Sequence, residues 1–161
     1  MRQVEGEDWP DLSDAALAAH VRDWLAPHLS GMTKLGELKS LNLHDVLLSA
    51  LPWERRKRLD AALPARVALP AGRSAAIDYA RDTPTLEARA QHLYGLADMP
   101  KLAEGRVKLQ VALLSPAGRP VAVTGDLAGF WQGGWADVRK DMRGRYPKHD
   151  WPENPGAAPR G

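Results

Sequence analysis

LLSPAGRPVAVTGDLAGFWQGGWADVRKDMRGRYPKHDWPENP, residues 113–155, is the stretch whose reading decides the fold. Ser115-Pro116-Ala117-Gly118 fits a type I turn, with serine first, proline second where its fixed φ is wanted, and glycine fourth. Before the turn, Val107, Leu109, Val111 and Leu113 alternate with Lys108, Gln110 and Ala112, the period-two pattern of a half-buried strand. After it, Pro120 to Thr124 supplies the returning strand of a hairpin. Asp126 then stands where it can cap a long final helix with Leu127, Phe130, Trp131, Val138 and Met142 on its apolar face. Past Pro147 prolines and glycines recur, which predicts a flexible tail over 150–161.

Working back from the hairpin, Thr83-Pro84 offers a cap followed by a first-turn proline. That predicts a helix carrying Leu86, Ala90, Leu93 and Tyr94 on one face and ended by Gly95. Arg66–Leu69 and Ala75–Tyr79 read as short strands joined at Pro70-Ala71-Gly72. Upstream of Pro64 the character is helical. Ser13 caps a run with Leu17, Val21, Trp24, Leu25 and Leu29 on one face, and Leu12 and Leu17 are spaced for a hydrophobic staple. A shorter helix after Thr33 turns Leu35 and Leu38 inward. Asn42 caps another bearing Val46, Leu47, Leu48 and Leu51, and Pro52 opens a fourth that runs to about Leu63. None is long enough to be stable alone in water, so these helices must pack on something. The fold class is therefore α+β: a bundle of short helices over 1–63, then a mixed unit with a β-hairpin and a long C-terminal helix over 64–149.

Composition narrows the functional classes. The chain has 161 residues, 44% hydrophobic and 26% charged, as in an ordinary globular protein. Its formal net charge of +2 is too small to imply nucleic-acid binding by itself. There is no cysteine, which excludes disulfides and thiolate metal sites and suits a reducing, cytoplasmic setting. No apolar run approaches membrane length, and the polar N-terminus is not a signal peptide. Phosphate-cradling loops, a GxGxxG turn and a nucleophile elbow are all missing. The five histidines are scattered: His20 and His28 are separated by Pro27 and have no third ligand, so no metal site is assigned. Acidic pairs such as Asp78/Asp82 and Asp137/Asp141 have spacings common on any surface. No catalytic residue is assigned, and the chain is read as a monomer with no cofactor of its own.

Two basic clusters remain. Arg55, Arg56, Lys57 and Arg58 follow Trp53, and consecutive helical positions spread around the axis as a solvated face does. Arg139, Lys140, Arg143, Arg145 and Lys148 lie near Trp135 and Tyr146. This second cluster fits nucleic-acid binding, with guanidinium forks on phosphates and a ring on an unpaired base. The other reading is that Arg143 and Arg145 pair with local carboxylates and the helix C-terminus. Phe130, Trp131 and Trp135 follow a helix face and read as core rather than as a stacking platform.

DLAGFW, WADVRKDMRGRYPKH and the preceding LLSPAGRPVAVT resemble the C-terminal ending of the bacterial HrpB family, ATP-dependent helicases of the DEAH/DExH-box branch of superfamily 2. PARVALPAGRSAAIDY and LYGLADMPKLAEGRVKLQ are similar to the family's preceding run, and LPWERRKRLD to the stretch upstream of that. Asp150 departs from the pattern, which has proline before the Trp-Pro pair. The resemblance implies the C-terminal part of a longer RNA helicase, with Met1 an internal or added start. ATP and magnesium would belong to motor domains absent here, so the chain itself is not read as catalytic. It implies an accessory domain that assists engagement of RNA or other single-stranded nucleic acid. The alternative is a structural module docking on the helicase core or on a partner protein.

Overall fold

Prolines, glycines and capping side chains cut the N-terminal stretch into short helices. The computed structural model describes residues 1–157, and the side chain of Leu35 lies outside that description. It divides into two units, Met1–Ala61 and Ala62–Gly161, against the 63/64 boundary expected.

The first unit contains α1 (Arg2–Glu5), α2 (Asp14–Ala19), α3 (Val21–Leu25), α4 (Leu43–Ser49) and the start of α5 (Trp53–Ala62), with 3-10 turns between them. Ser13 Oγ accepts the Ala16 N–H at 3.4 Å, and Asn42 Oδ1 accepts that of Asp45 at 3.4 Å. Pro52 serves the first turn of α5 through its carbonyl, which accepts the Arg56 N–H. The single helix expected from Ser13 to Leu29 is instead broken at His20 and ends in a 3-10 turn around Pro27. The Trp24 indole N–H binds the Leu17 carbonyl at 2.9 Å, taking an acceptor that a continuous helix would have used for its own ladder. Leu38 is exposed and does not turn inward. Leu35, whose side chain was expected beside it, falls outside the described side chains. Trp9, Val46 and Leu51 form the small buried set. Trp9 is held through its indole N–H to Glu5 Oε2 at 2.6 Å, an oxygen that also pairs with Arg58 at 2.8 Å.

The second unit is a five-stranded sheet in the order β1 (Arg66–Leu69), β2 (Arg73–Asp78), β3 (Thr85–Arg89), β4 (Gln110–Leu114), β5 (Pro120–Thr124). Neighbours are antiparallel except β3 and β4, which run parallel from Thr85↔Gln110 to Arg89↔Leu114. The β1–β2 turn places Ala71 and Gly72 at φ of 61° and 68°, a conformation natural for glycine alone. The Ser115 turn forms as expected, with the Gly118 N–H on the Ser115 carbonyl at 2.8 Å.

Three expectations need correction. Thr83-Pro84 does not open a helix: Thr85–Arg89 is strand β3, and only Ala90–Leu93 (α6) is helical. Leu86 and Ala88 are buried while Glu87 and Arg89 are exposed, and β2 and β4 pair on either side. Nonlocal pairing of that kind overrides a local cap signal. Strand β4 starts at Gln110, and Val107 makes only a single bridge, to Leu102. The final helix is split by Gly133-Gly134 into α7 (Leu127–Gln132) and α8 (Trp135–Arg145).

One core cluster joins the sheet to these helices, with Leu86, Leu93, Val111, Leu113, Leu127, Trp135 and Met142 almost fully buried. The tail expected to be flexible also joins it. Trp151 is 5% exposed and Pro155 is buried, and Gly95 N–H donates to the Pro155 carbonyl at 2.8 Å. The Trp135 indole binds the Pro152 carbonyl at 2.8 Å, and the Trp151 indole binds that of Tyr146 at 2.9 Å. Prolines remove donors from this segment but leave its carbonyls free, and indole and backbone N–H groups take them. Residues 158–161, the rest of the expected tail, lie outside the described residues. Among the described residues no helix is long and apolar enough to cross a membrane.

Candidate nucleic-acid interface

Helix α8 is built so that its two sides do different work. Trp135 and Met142 point into the core at 1% and 2% exposure, while Lys140, Arg143 and Arg145 stand outside. Gly134 starts the helix, and its last turn carries Arg143 and Arg145, where cations favour the negative end of the helix dipole.

The five expected cations divide into three kinds. Arg139 is committed to the fold: Nε donates to the Trp151 carbonyl at 2.7 Å and Nη2 to Glu153 at 3.1 Å, with the side chain only 24% exposed. Arg145 pairs with Asp141 one turn back at 3.1 Å, an exposed contact worth about 0.5 kcal/mol. Lys140, Arg143 and Lys148 are exposed, and among the described residues they have no ion pair or hydrogen-bond partner for their charged ends. Local pairing therefore accounts for Arg145 and leaves Arg143 outside it.

Arg139 and Arg143, one turn apart, form one wall of an open groove of about 510 Å3. Its other wall is Pro147, His149, Asp150, Trp151 and Pro152. That second wall was missed in the sequence because the segment was read as a fraying tail. The available signal was the paired Trp151-Pro152, an aromatic anchor beside a residue that fixes the backbone.

The stacking rings are not free. Trp135 is buried, sits edge-on to Trp131 at 5.2 Å between ring centroids, and spends its N–H on Pro152. Phe130 and Trp131 belong to the same aromatic cluster. Tyr146 remains half-buried, with its ring edge-on to His149 at 6.3 Å. The earlier cluster on α5 has half-buried Arg55 and Arg56, exposed Lys57, and Arg58 in its ion pair with Glu5.

His20 lies 3.5 Å from Asp23, and Asp78 pairs with Arg81 at 3.0 Å. Among the described residues no group of three or more histidines and carboxylates comes close enough to hold a metal ion.

The family described as ATP-dependent helicase C-terminal matches residues 24–155. The ATP-dependent RNA helicase HrpB of Escherichia coli K12 is 46% identical over 149 residues, covering 92% of this chain and 18% of that protein. The crystal structure of the E. coli DExH-box NTPase HrpB superposes with a TM-score of 0.86 at 45% identity over 94% of this chain and 19% of that one. A second crystal structure, of the E. coli DEAH/RHA helicase HrpB, gives 0.72 at 41% identity over 93% and 19%. The chain thus spans about a fifth of the length of these relatives.

Proposed function

Since this chain belongs to the family of HrpB-type ATP-dependent helicase C-terminal domains, we propose that its second unit helps a helicase motor hold single-stranded RNA. The observation that carries the proposal is the set of exposed, unpaired cations Lys140, Arg143 and Lys148 beside the groove between α8 and Trp151. Cations that the fold leaves unpaired are free to replace the counterions of a phosphate backbone. Arg139 shapes the groove, and Arg145 adds charge at its rim. ATP and Mg2+ are proposed for the motor portion of such a helicase, and hydrolysis belongs there. A cytoplasmic monomeric chain is the setting assigned.

The test is fluorescence anisotropy of the chain with a labelled oligouridylate across a salt series. Exchanging Lys140, Arg143 and Lys148 for glutamine should lower the slope of log Kd against log salt by about 2, at about 0.7 per lost phosphate contact on a single strand. An unchanged slope would falsify the assignment.

A second reading follows from the first unit. Leu12, Val21, Leu43 and Trp53 are exposed large apolar residues, Trp53 at 70%. A small unit with so few buried side chains and so many exposed apolar ones fits docking on the rest of a HrpB-type helicase. Trp53→Ser should weaken co-purification with separately expressed motor domains. Equal recovery of the variant and the parent chain removes this reading.

A further inference from the structure

The groove beside α8 is not the only concavity on the second unit. His149 and Asp150, which line it, also line a second cleft of about 360 Å3. Four segments distant in sequence converge there: the start of β2 with Arg73, the run from the end of β3 into α6 with Arg89, Gln91 and His92, the Ser115 turn with Pro116, and the C-terminal segment with His149 and Asp150. Strand pairing explains the convergence. β2 runs antiparallel to β3, so the first residue of β2 and the last of β3 meet at one end of the sheet.

The chemistry of the cleft is one-sided. Arg73 and Arg89 are exposed, and among the described residues neither guanidinium has a hydrogen-bond or ion-pair partner. Gln91 is on the wall, and its Nε2 is the one buried side-chain polar atom without a partner among the described residues. Tyr94 lines the cleft too, but its hydroxyl already donates to the Asp150 carbonyl at 3.1 Å. Against these donors there is a single carboxylate, that of Asp150. Two unpaired guanidiniums lining one cleft suit an anion with several acceptor oxygens in fork geometry, such as a phosphate.

We propose that this cleft is a phosphate site, and that it receives a backbone phosphate of the single strand held along α8. His149 and Asp150 stand on the walls of both concavities, so a strand running from Arg143 toward Arg89 and Arg73 would pass along them. The strand assignment rests on the reading of the α8 groove as a nucleic-acid interface; the phosphate chemistry does not. Supporting it, burial first, and then Arg73 and Arg89, hold His92 below the ordinary histidine range. An anion between these groups would relieve the repulsion and raise it. Arg73 and Arg89 act on His92 directly, and the other charged or titratable groups lining the cleft are His149, Asp150 and Tyr94.

Two measurements on the 161-residue chain test this. In the anisotropy assay, Arg73→Gln with Arg89→Gln should lower the salt slope by about 1.4, two contacts at about 0.7 each, while leaving the melting temperature unchanged. In an NMR titration, inorganic phosphate should shift the His92 ring resonances and raise its pKa, and the double variant should abolish both effects. Wild-type RNA affinity and slope in the double variant overturn the strand assignment, and a His92 response to phosphate in that case identifies a free nucleotide or phosphate as the source. No His92 response, together with unchanged RNA binding, overturns the site altogether. If the parent chain binds no RNA yet His92 responds, the interface reading falls and the phosphate site stands.

Discussion

Replacing Arg139 by methionine separates a cation that holds the fold from cations that face solvent. The substitution keeps most of the aliphatic stem and removes the guanidinium. It deletes the 2.7 Å bond to the Trp151 carbonyl and the 3.1 Å contact with Glu153. Glu153 is 84% exposed, so its share is at most about 0.5 kcal/mol. The bond to Trp151 is charge-assisted and largely sheltered, and losing it leaves a carbonyl unpaired, at a cost of about 2 kcal/mol. For a unit of this size that corresponds to a drop of about 10 °C in melting temperature. Thermal or urea unfolding followed by tryptophan fluorescence reads it directly, because Trp151 and Trp135 sit at the point of damage. Arg143→Met, with no partner to lose, should stay within about 0.5 kcal/mol of the parent. If Arg139→Met is equally silent, the guanidinium is not a structural pin and belongs with the free cations.

Three further outcomes follow from the same contacts. Trp151→Ala empties a site that is 5% exposed and should cost about 4 kcal/mol in urea unfolding, whereas Trp53→Ala, at a 70% exposed position, should cost little. Glu5→Ala removes the acceptor of the buried Trp9 indole and should destabilise the first unit by about 2 kcal/mol, visible as an earlier Trp9-sensitive transition. Because burial, and then Arg73 and Arg89, hold His92 below the ordinary histidine range in the folded chain, the unfolded chain binds more protons on the acid side; stability should therefore fall as pH drops below about 6.5, and His92→Gln should flatten that slope in melts across pH.

How much of this was legible depends on the range of the interaction. The Ser115–Gly118 turn, the caps at Ser13, Asn42 and Asp126, and the entry of α5 after Pro52 are decided by neighbours within four residues, and each stands where the sequence places it. Thr85–Arg89 was illegible because its state is set by Gln110–Leu114, and the local signal at Thr83-Pro84 points the other way. The same holds for Trp151, whose packing and hydrogen-bond partners are supplied by α8 and Tyr146 while its own neighbours are prolines and charges. Of the site, the five cations were visible as a cluster, but not which were spent. Arg139 finds its carbonyl twelve residues on, and only the folded segment reveals it. Arg73 and Arg89 gave no signal, being isolated cations that β2–β3 pairing brings to one end of the sheet.

The packed segment around Trp151–Pro155 also bears on how long the folded unit persists. Bonds to this stretch close long loops: Gly95 reaches Pro155, and Tyr94 reaches the adjoining Asp150 across 56 residues. Loops of that length are entropically costly to close before the sheet exists, which puts these contacts late in folding. Interactions absent from the folding transition state govern the escape rate rather than the entry rate. This segment therefore acts as the timer of the unit. Weakening Trp151 should speed unfolding in stopped-flow measurements while leaving refolding nearly unchanged, and strengthening the same strap would lengthen the native lifetime without altering how fast the sheet assembles.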